Sequence, residues 1–271
     1  MQPCSLRLDE KSCLASRASL HYFPLGAVKQ FFVKRIKKIL TKGFFMKRQI
    51  LFSAAVLLAG SLLAADSSPK DDIANAAKKL AEKPNYSWKA IVVVPESAQF
   101  RPGPTEGKTE KDGFTWVSMS FGDNTTQFIL KGEKAAITKP DGGWQSLAEM
   151  DTQGPGGFMG RMVKNFKAPA AQAAELATGT KELKKDGDVY SGDLTEAGAK
   201  AQFRFGTVNN PKGSVKFWLK DGVLTKYEFK VQGKVTFNDN EMDIDRATTV
   251  EIKDVGTTKV SVPDEAKKKL S

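Results

Sequence analysis

Alternation with a period of two runs through the last third of this chain. Val223, Thr225, Tyr227, Phe229, Val231, Val235 and Phe237 share one side of an extended backbone, and Lys226, Glu228, Lys230, Gln232 and Lys234 share the other. Asn238-Asp239-Asn240 turns the chain. The pattern then resumes with Met242, Ile244, Thr248, Val250 and Ile252 opposite Asp243, Asp245, Thr249, Glu251 and Lys253. Successive side chains of a strand point to opposite faces, so this pattern buries itself only as antiparallel sheet with one apolar and one wet face. Upstream, Val215–Leu219 followed by Asp221-Gly222 reads as the first arm and type I′ turn of a hairpin.

The region before it mixes both periods. Pro69 and Asp71-Asp72 suit the first turn of a helix. Ile73, Ala76, Ala77 and Leu80 then fall on one helical face, and Pro84 ends the element. Tyr86, Trp88, Ala90, Val92 and Val94 alternate along a strand. Phe100–Gly113, rich in Gly and Pro, reads as a long hairpin loop. Strand signals return at Phe114–Phe121, Thr125–Leu130 and Ala135–Thr138, and Pro140-Asp141-Gly142-Gly143 turns the chain toward Trp144. Gly154-Pro155-Gly156-Gly157 reads as a break. Phe158, Met159, Met162 and Phe166 then lie on one helix face, which Pro169 ends. Ala170–Ala177 is a short helical stretch, Glu182–Leu194 a hairpin, and Thr195 the cap of a small helix. Val260–Val262, Pro263 and a short Lys-rich helix close the chain.

Composition matters most for how it is distributed. Met46 opens a secretory-signal pattern: Lys47-Arg48, then the apolar run Ile50–Leu63, then Ala64-Ala65-Asp66. We expect residues 1–45 to be an extension that is untranslated or absent from the mature protein, 46–65 to be a cleaved signal peptide, and 66–271 to be one domain. The product would be periplasmic or secreted. Eleven of the 42 Lys/Arg and two of the 31 Asp/Glu precede Asp66, so the remainder carries a net charge of +2 rather than +11. A basic amphipathic run, Phe31–Leu40, also falls in the extension; if it is made, it suits a membrane surface. Interleaved acidic residues on the Lys-rich faces argue against nucleic acid as a partner.

Both cysteines (Cys4, Cys13) and the one histidine (His21) lie in that leader region. The domain therefore lacks a Cys/His nucleophile pair, a Ser-His-Asp triad and an imidazole base. Zinc sites lean on the same residues. Asp239, Glu241, Asp243 and Asp245 alternate outward and lack the glycine pattern of a calcium loop. No catalytic residue, metal site or cofactor is read from the sequence, and the chain is not expected to be an enzyme.

The order of elements, with Tyr190-Ser191-Gly192-Asp193-Leu194-Thr195, Val215–Gly222 and Val260-Ser261-Val262-Pro263 at their places in it, resembles the LolA-like family of periplasmic lipoprotein carriers. The related LppX-type lipid-binding proteins belong to the same resemblance. It covers about Pro69 to Leu270, and the Phe100–Gly113 loop and the Gly-Pro-Gly-Gly break depart from it. It implies an α+β fold: a strongly curved, unclosed antiparallel half-barrel with short helices packed on or lidding its concave side. It also implies an apolar wall and lid for an acyl chain. The residues nominated for these are Trp88, Trp116, Phe128, Phe217 and Phe229 for the wall and Phe158, Met159, Met162 and Phe166 for the lid. Arg246, the one charge on an otherwise apolar strand face, is nominated to hold the lid. Each has a plainer use, as core filling for a curved sheet or, for Arg246, as a side chain reaching solvent.

Two functions follow from this. One is a carrier, expected to be monomeric, whose partner is a lipid or an acylated lipoprotein. The other is a non-catalytic envelope adaptor whose half-barrel is filled by its own side chains and whose partner is another envelope protein.

Overall fold

The computed structural model describes residues 67–98, 101–150, 154–203, 206–237 and 240–271. The expected extension and signal peptide lie outside these residues. Six strands come first: β1 (Asn85–Val93), β2 (Pro102–Glu110), β3 (Thr115–Phe121), β4 (Asn124–Lys131), β5 (Lys134–Thr138) and β6 (Trp144–Ser146). Five follow later: β7 (Lys184–Asp186), β8 (Val189–Asp193), β9 (Thr207–Lys220), β10 (Val223–Phe237) and β11 (Asn240–Lys253). Among the described residues they form one sheet in the order β6-β5-β4-β3-β2-β1-β11-β10-β9-β8-β7. Every pairing is antiparallel.

The sheet is thus two meanders joined where β1 pairs with β11. Its edge strands, β6 and β7, do not pair with each other, so the sheet is a curved, unclosed half-barrel. These edges are consecutive in the chain. The segment between them carries α2 (Gly154–Lys164) and α3 (Pro169–Thr178), and residues of both pack into the sheet's main apolar cluster. The topology therefore lays helices over one face.

The other helices are α1 (Pro69–Ala81), α4 (Glu196–Lys200) and α5 (Asp264–Lys269). Ser68 and Asp71 form a capping box at the start of α1, with Pro69 in its first turn. Its buried residues are Ile73, Ala76, Ala77 and Leu80, the face read from the 3.6-residue period. Thr195 caps α4 by accepting from the Gly198 N–H at 2.9 Å. The opposite, wet face carries cross-strand ion pairs, among them Lys89–Glu106, Lys230–Asp245 and Lys234–Glu241.

The structure corrects three expectations. Phe100–Gly113 is not a long loop: Pro102–Glu110 forms β2, paired on both sides. Its ladder with β1 runs from Thr105 to Glu110, and its register with β3 is irregular between Pro102 and Thr105. Pro104, which has no N–H to donate, falls in the gap. Second, Gly154-Pro155-Gly156-Gly157 is the first turn of α2 rather than a break. A proline is tolerated there because first-turn N–H groups have no intrahelical partner. Third, β10 carries a register shift between Leu224 and Lys226. The bulge turns Leu224 into the core, where it is fully buried, and leaves Val223 and Thr225 half-exposed. Asp221 and Gly222, both at positive φ, make the turn before it.

Candidate functional site

One cross-strand row organises the concave face. Trp88 pairs with Gly107, Gly107 with Val117, Val117 with Phe128, and Phe128 with Ile137. The four side chains are all buried, and Gly107 leaves a gap beside Trp88. The Trp88 indole fills it: a Cβ on Gly107 would stand 2.1 Å from two of the ring carbons. Phe166 packs against two members of this row, Trp88 and Phe128. Its ring stacks on Trp88 at 5.9 Å between centroids and meets Phe128 edge-on at 5.3 Å. It is a wedge inserted from the helical side between two wall residues.

The second half of the face is built on β9 and β10. Phe217 and Phe229 flank Tyr227, with ring centroids 6.4 and 6.5 Å from it. The Tyr227 hydroxyl donates to Gln172 Oε1 at 2.6 Å, tying α3 to the middle of the sheet. The first turn of α3 is held too, since the Ala170 backbone hydrogen-bonds to the Tyr86 hydroxyl; burial pushes the Tyr86 pKa up. Two tyrosines, one on β1 and one on β10, thus fix α3 over the groove.

The nominated residues fall into three groups. Trp88, Phe128, Phe217 and Phe229 are buried together in the concave cluster, to which α2 contributes Val163; Met162 is buried on α2 at 9 % exposure without being a member of that cluster. Met159 and Phe166 pack on that cluster half-buried, and Phe158 stands outermost at 41 % exposure. Phe166 belongs to the linker after α2 rather than to the helix. Trp116 is not part of this wall. It lies on the other face of β3, packed on a second cluster of Ile129, Ala136, Trp144, Ala266 of α5 and Leu270 just after that helix. Its neighbour Val117 takes the concave position, because adjacent strand residues point to opposite sides.

Among the described residues, Arg246 contacts the chain just after α4. Its Nη2 donates to the Gln202 carbonyl at 2.5 Å, and its guanidinium lies over the Phe203 ring. It ties the chain just after α4 to β11. Residues the sequence reading did not nominate also matter. Gly107 carried no signal, having been read as loop. Tyr86 and Tyr227 were visible in the alternation, but the pairing of Tyr227 with Gln172 was not.

A polar cluster marks the end of the groove by the β7–β8 hairpin. The Tyr190 hydroxyl donates to Asp72 Oδ2 at 2.8 Å, and Lys185 Nζ lies 3.5 Å from the same carboxylate. Hydrogen bonds from Ser67 and Tyr190, with the charge of Lys185, hold Asp72 below its usual value. Burial raises the Tyr190 pKa. Among the described residues no group of three or more His, Cys, Asp or Glu could hold a metal ion. No described helix is long and apolar enough to cross a membrane.

No protein-family model matches the chain, and no curated protein matches it. Among solved structures, the chain is similar to the lipoprotein LppX of Mycobacterium tuberculosis, at 9 % identity and a TM-score of 0.41, covering 72 % of this chain and 98 % of LppX. LprF from Mycobacterium bovis is 11 % identical with a TM-score of 0.40, over 74 % of this chain and 100 % of LprF. A DUF1329 family protein from Desulfovibrio piger is 9 % identical with a TM-score of 0.30, over 69 % and 92 % of the two chains. These likenesses are too distant to carry function, and the LolA part of the resemblance stays an expectation.

Proposed function

We propose that this chain is an exported, non-catalytic carrier that takes an acyl chain of a lipid or lipoprotein into the concave groove. The observation that carries the reading is Phe166. It occupies a slot between Trp88 and Phe128, and it belongs to a short linker rather than to the sheet or a helix. A side chain placed there can leave without unfolding either layer, and the space it vacates is lined by apolar groups. Each ligand methylene buried is worth about 0.8 kcal/mol, so a long chain binds firmly without a charged anchor.

Export accounts for the sequence pattern from Met46 to Ala65. N-terminal sequencing of the exported protein should begin near Asp66, and a mature product still holding Cys4 and Cys13 would end this part of the proposal. Lipid extraction and mass spectrometry of that protein, with titration of a fluorescent fatty acid, test the carrier reading. Co-purified lipid or saturable binding supports it; the absence of both removes it.

A second reading, an envelope adaptor with a filled half-barrel, is favoured by the packing of the β9–β10 half. Phe217 and Tyr227 there are fully buried, as is Phe128 across the groove. On this reading Phe166 is ordinary core and the same titration shows no binding.

A further inference from the structure

Trp88 Nε1 is buried and has no hydrogen-bond partner among the described residues. Buried indole N–H groups ordinarily find an acceptor, because stripping water from a donor without replacing it is costly. The indole packs on glycine and apolar groups. Nε1 lies over Gly107, beyond which the row continues with Val117 and Phe128, and the Phe166 ring covers the indole. An apolar slot of this kind is also a poor site for water, which needs several polar partners.

We infer that Trp88 Nε1 is the polar recognition point of the groove and donates to the carbonyl of an acyl group, ester or amide, when Phe166 is displaced. This rests on the carrier reading and adds the ligand's chemistry to it. A chain of methylenes alone fills the slot but leaves the N–H unsatisfied. A chain that brings a carbonyl satisfies it. Sites with a buried donor reject analogues lacking the acceptor more strongly than apolar contact alone can. The groove therefore selects acyl chains over alkyl chains of equal length.

The test uses three single-chain probes below their micellar concentrations: 1-palmitoyl lysophosphatidylcholine, its 1-O-hexadecyl ether counterpart, and a short N-palmitoylated peptide. The ester and the amide should bind at least about five-fold more tightly than the ether, as expected for one net hydrogen bond. The tighter of the two identifies the source of the acyl group. Trp88→Phe keeps a ring and removes the donor, so it should bring all three to similar affinity.

In the unaltered protein, the Trp88 indole proton should shift downfield in a ¹⁵N-resolved NMR spectrum on adding the ester and not on adding the ether. This second readout does not depend on how well the variant folds. Equal binding of ester and ether, or equal weakening of all three by Trp88→Phe, overturns the acyl-recognition proposal and leaves the carrier reading standing. Binding of none of them overturns both.

Discussion

The Trp88 indole occupies the space that a Cβ on Gly107 would take, with two ring carbons 2.1 Å from that position. The two residues are directly paired across β1 and β2, so neither can shift without moving a ladder. Gly107 has no positive φ, and its requirement is for space. In an open strand, alanine in place of glycine is favourable by about 0.5–1 kcal/mol. Here Gly107→Ala should instead destabilise by about 1–3 kcal/mol, the usual cost of overpacking. Chemical denaturation measures it. In a Trp88→Ala background the same substitution should become neutral or stabilising, and a penalty that persists there would mean that the ring is not its cause.

Register in β10 gives a second expectation. Phe229 is 4 % exposed between Val215 and Thr248, while Lys230 is exposed and paired with Asp245 at 3.4 Å. Phe229→Ala should cost about 3–5 kcal/mol, as expected for a buried aromatic. Lys230→Ala should cost about 0.5 kcal/mol or less, since an exposed ion pair contributes little. Equal losses in the two unfolding curves would contradict the face assignment.

How far the sequence could be read depended on whether each element carries its own pattern. The α1 face and the long strands β10 and β11 do, because each has one side against the core and one in water. Strand β2 (Pro-Gly-Pro-Thr-Glu-Gly-Lys-Thr-Glu) does not. It is held by ladders to its neighbours and contributes absence of bulk at Gly107, a role that only the partner Trp88 reveals. Trp116 and Val117 show another limit. Both are apolar because the second face of the sheet carries an apolar cluster of its own, on which Trp116 packs, so alternation could not say which one faces the groove. Phe166 fitted a helical spacing, yet α2 ends at Lys164 and α3 restarts at Pro169, leaving Phe166 free to turn into the sheet.

Acid should weaken the link between α1 and the β7–β8 hairpin. Asp72 is held below the usual carboxylate value by Ser67 and Tyr190, with Lys185 adding its charge. A carboxylate with a depressed folded pKa contributes stability that is present above its unfolded value and is lost as pH falls through the folded value. Asp72→Asn should therefore melt at a lower temperature than the unaltered protein at neutral pH. The gap should narrow as the pH falls below the usual carboxylate range toward the depressed folded value, and close once the carboxylate is protonated in both states. A gap that does not narrow at all across an acid titration would show that the ionised carboxylate is not what stabilises this end.

The wedge at Phe166 makes the carrier reading quantitative. If a ligand must displace this ring from Trp88 and Phe128, binding is weakened by the contacts that are broken. Aromatic pairs contribute about 0.5–1.5 kcal/mol each beyond the area they bury. Phe166→Ala removes that competition, so a fluorescent fatty acid should bind up to about ten-fold more tightly while the protein itself melts at a lower temperature. Met162→Asp should act oppositely, because it places a carboxylate on the buried face of α2 against the space a chain would fill. Weaker binding by Phe166→Ala would make Phe166 a wall that the ligand needs rather than a wedge that it expels. Binding by neither the variant nor the unaltered protein would pass the groove to the adaptor reading.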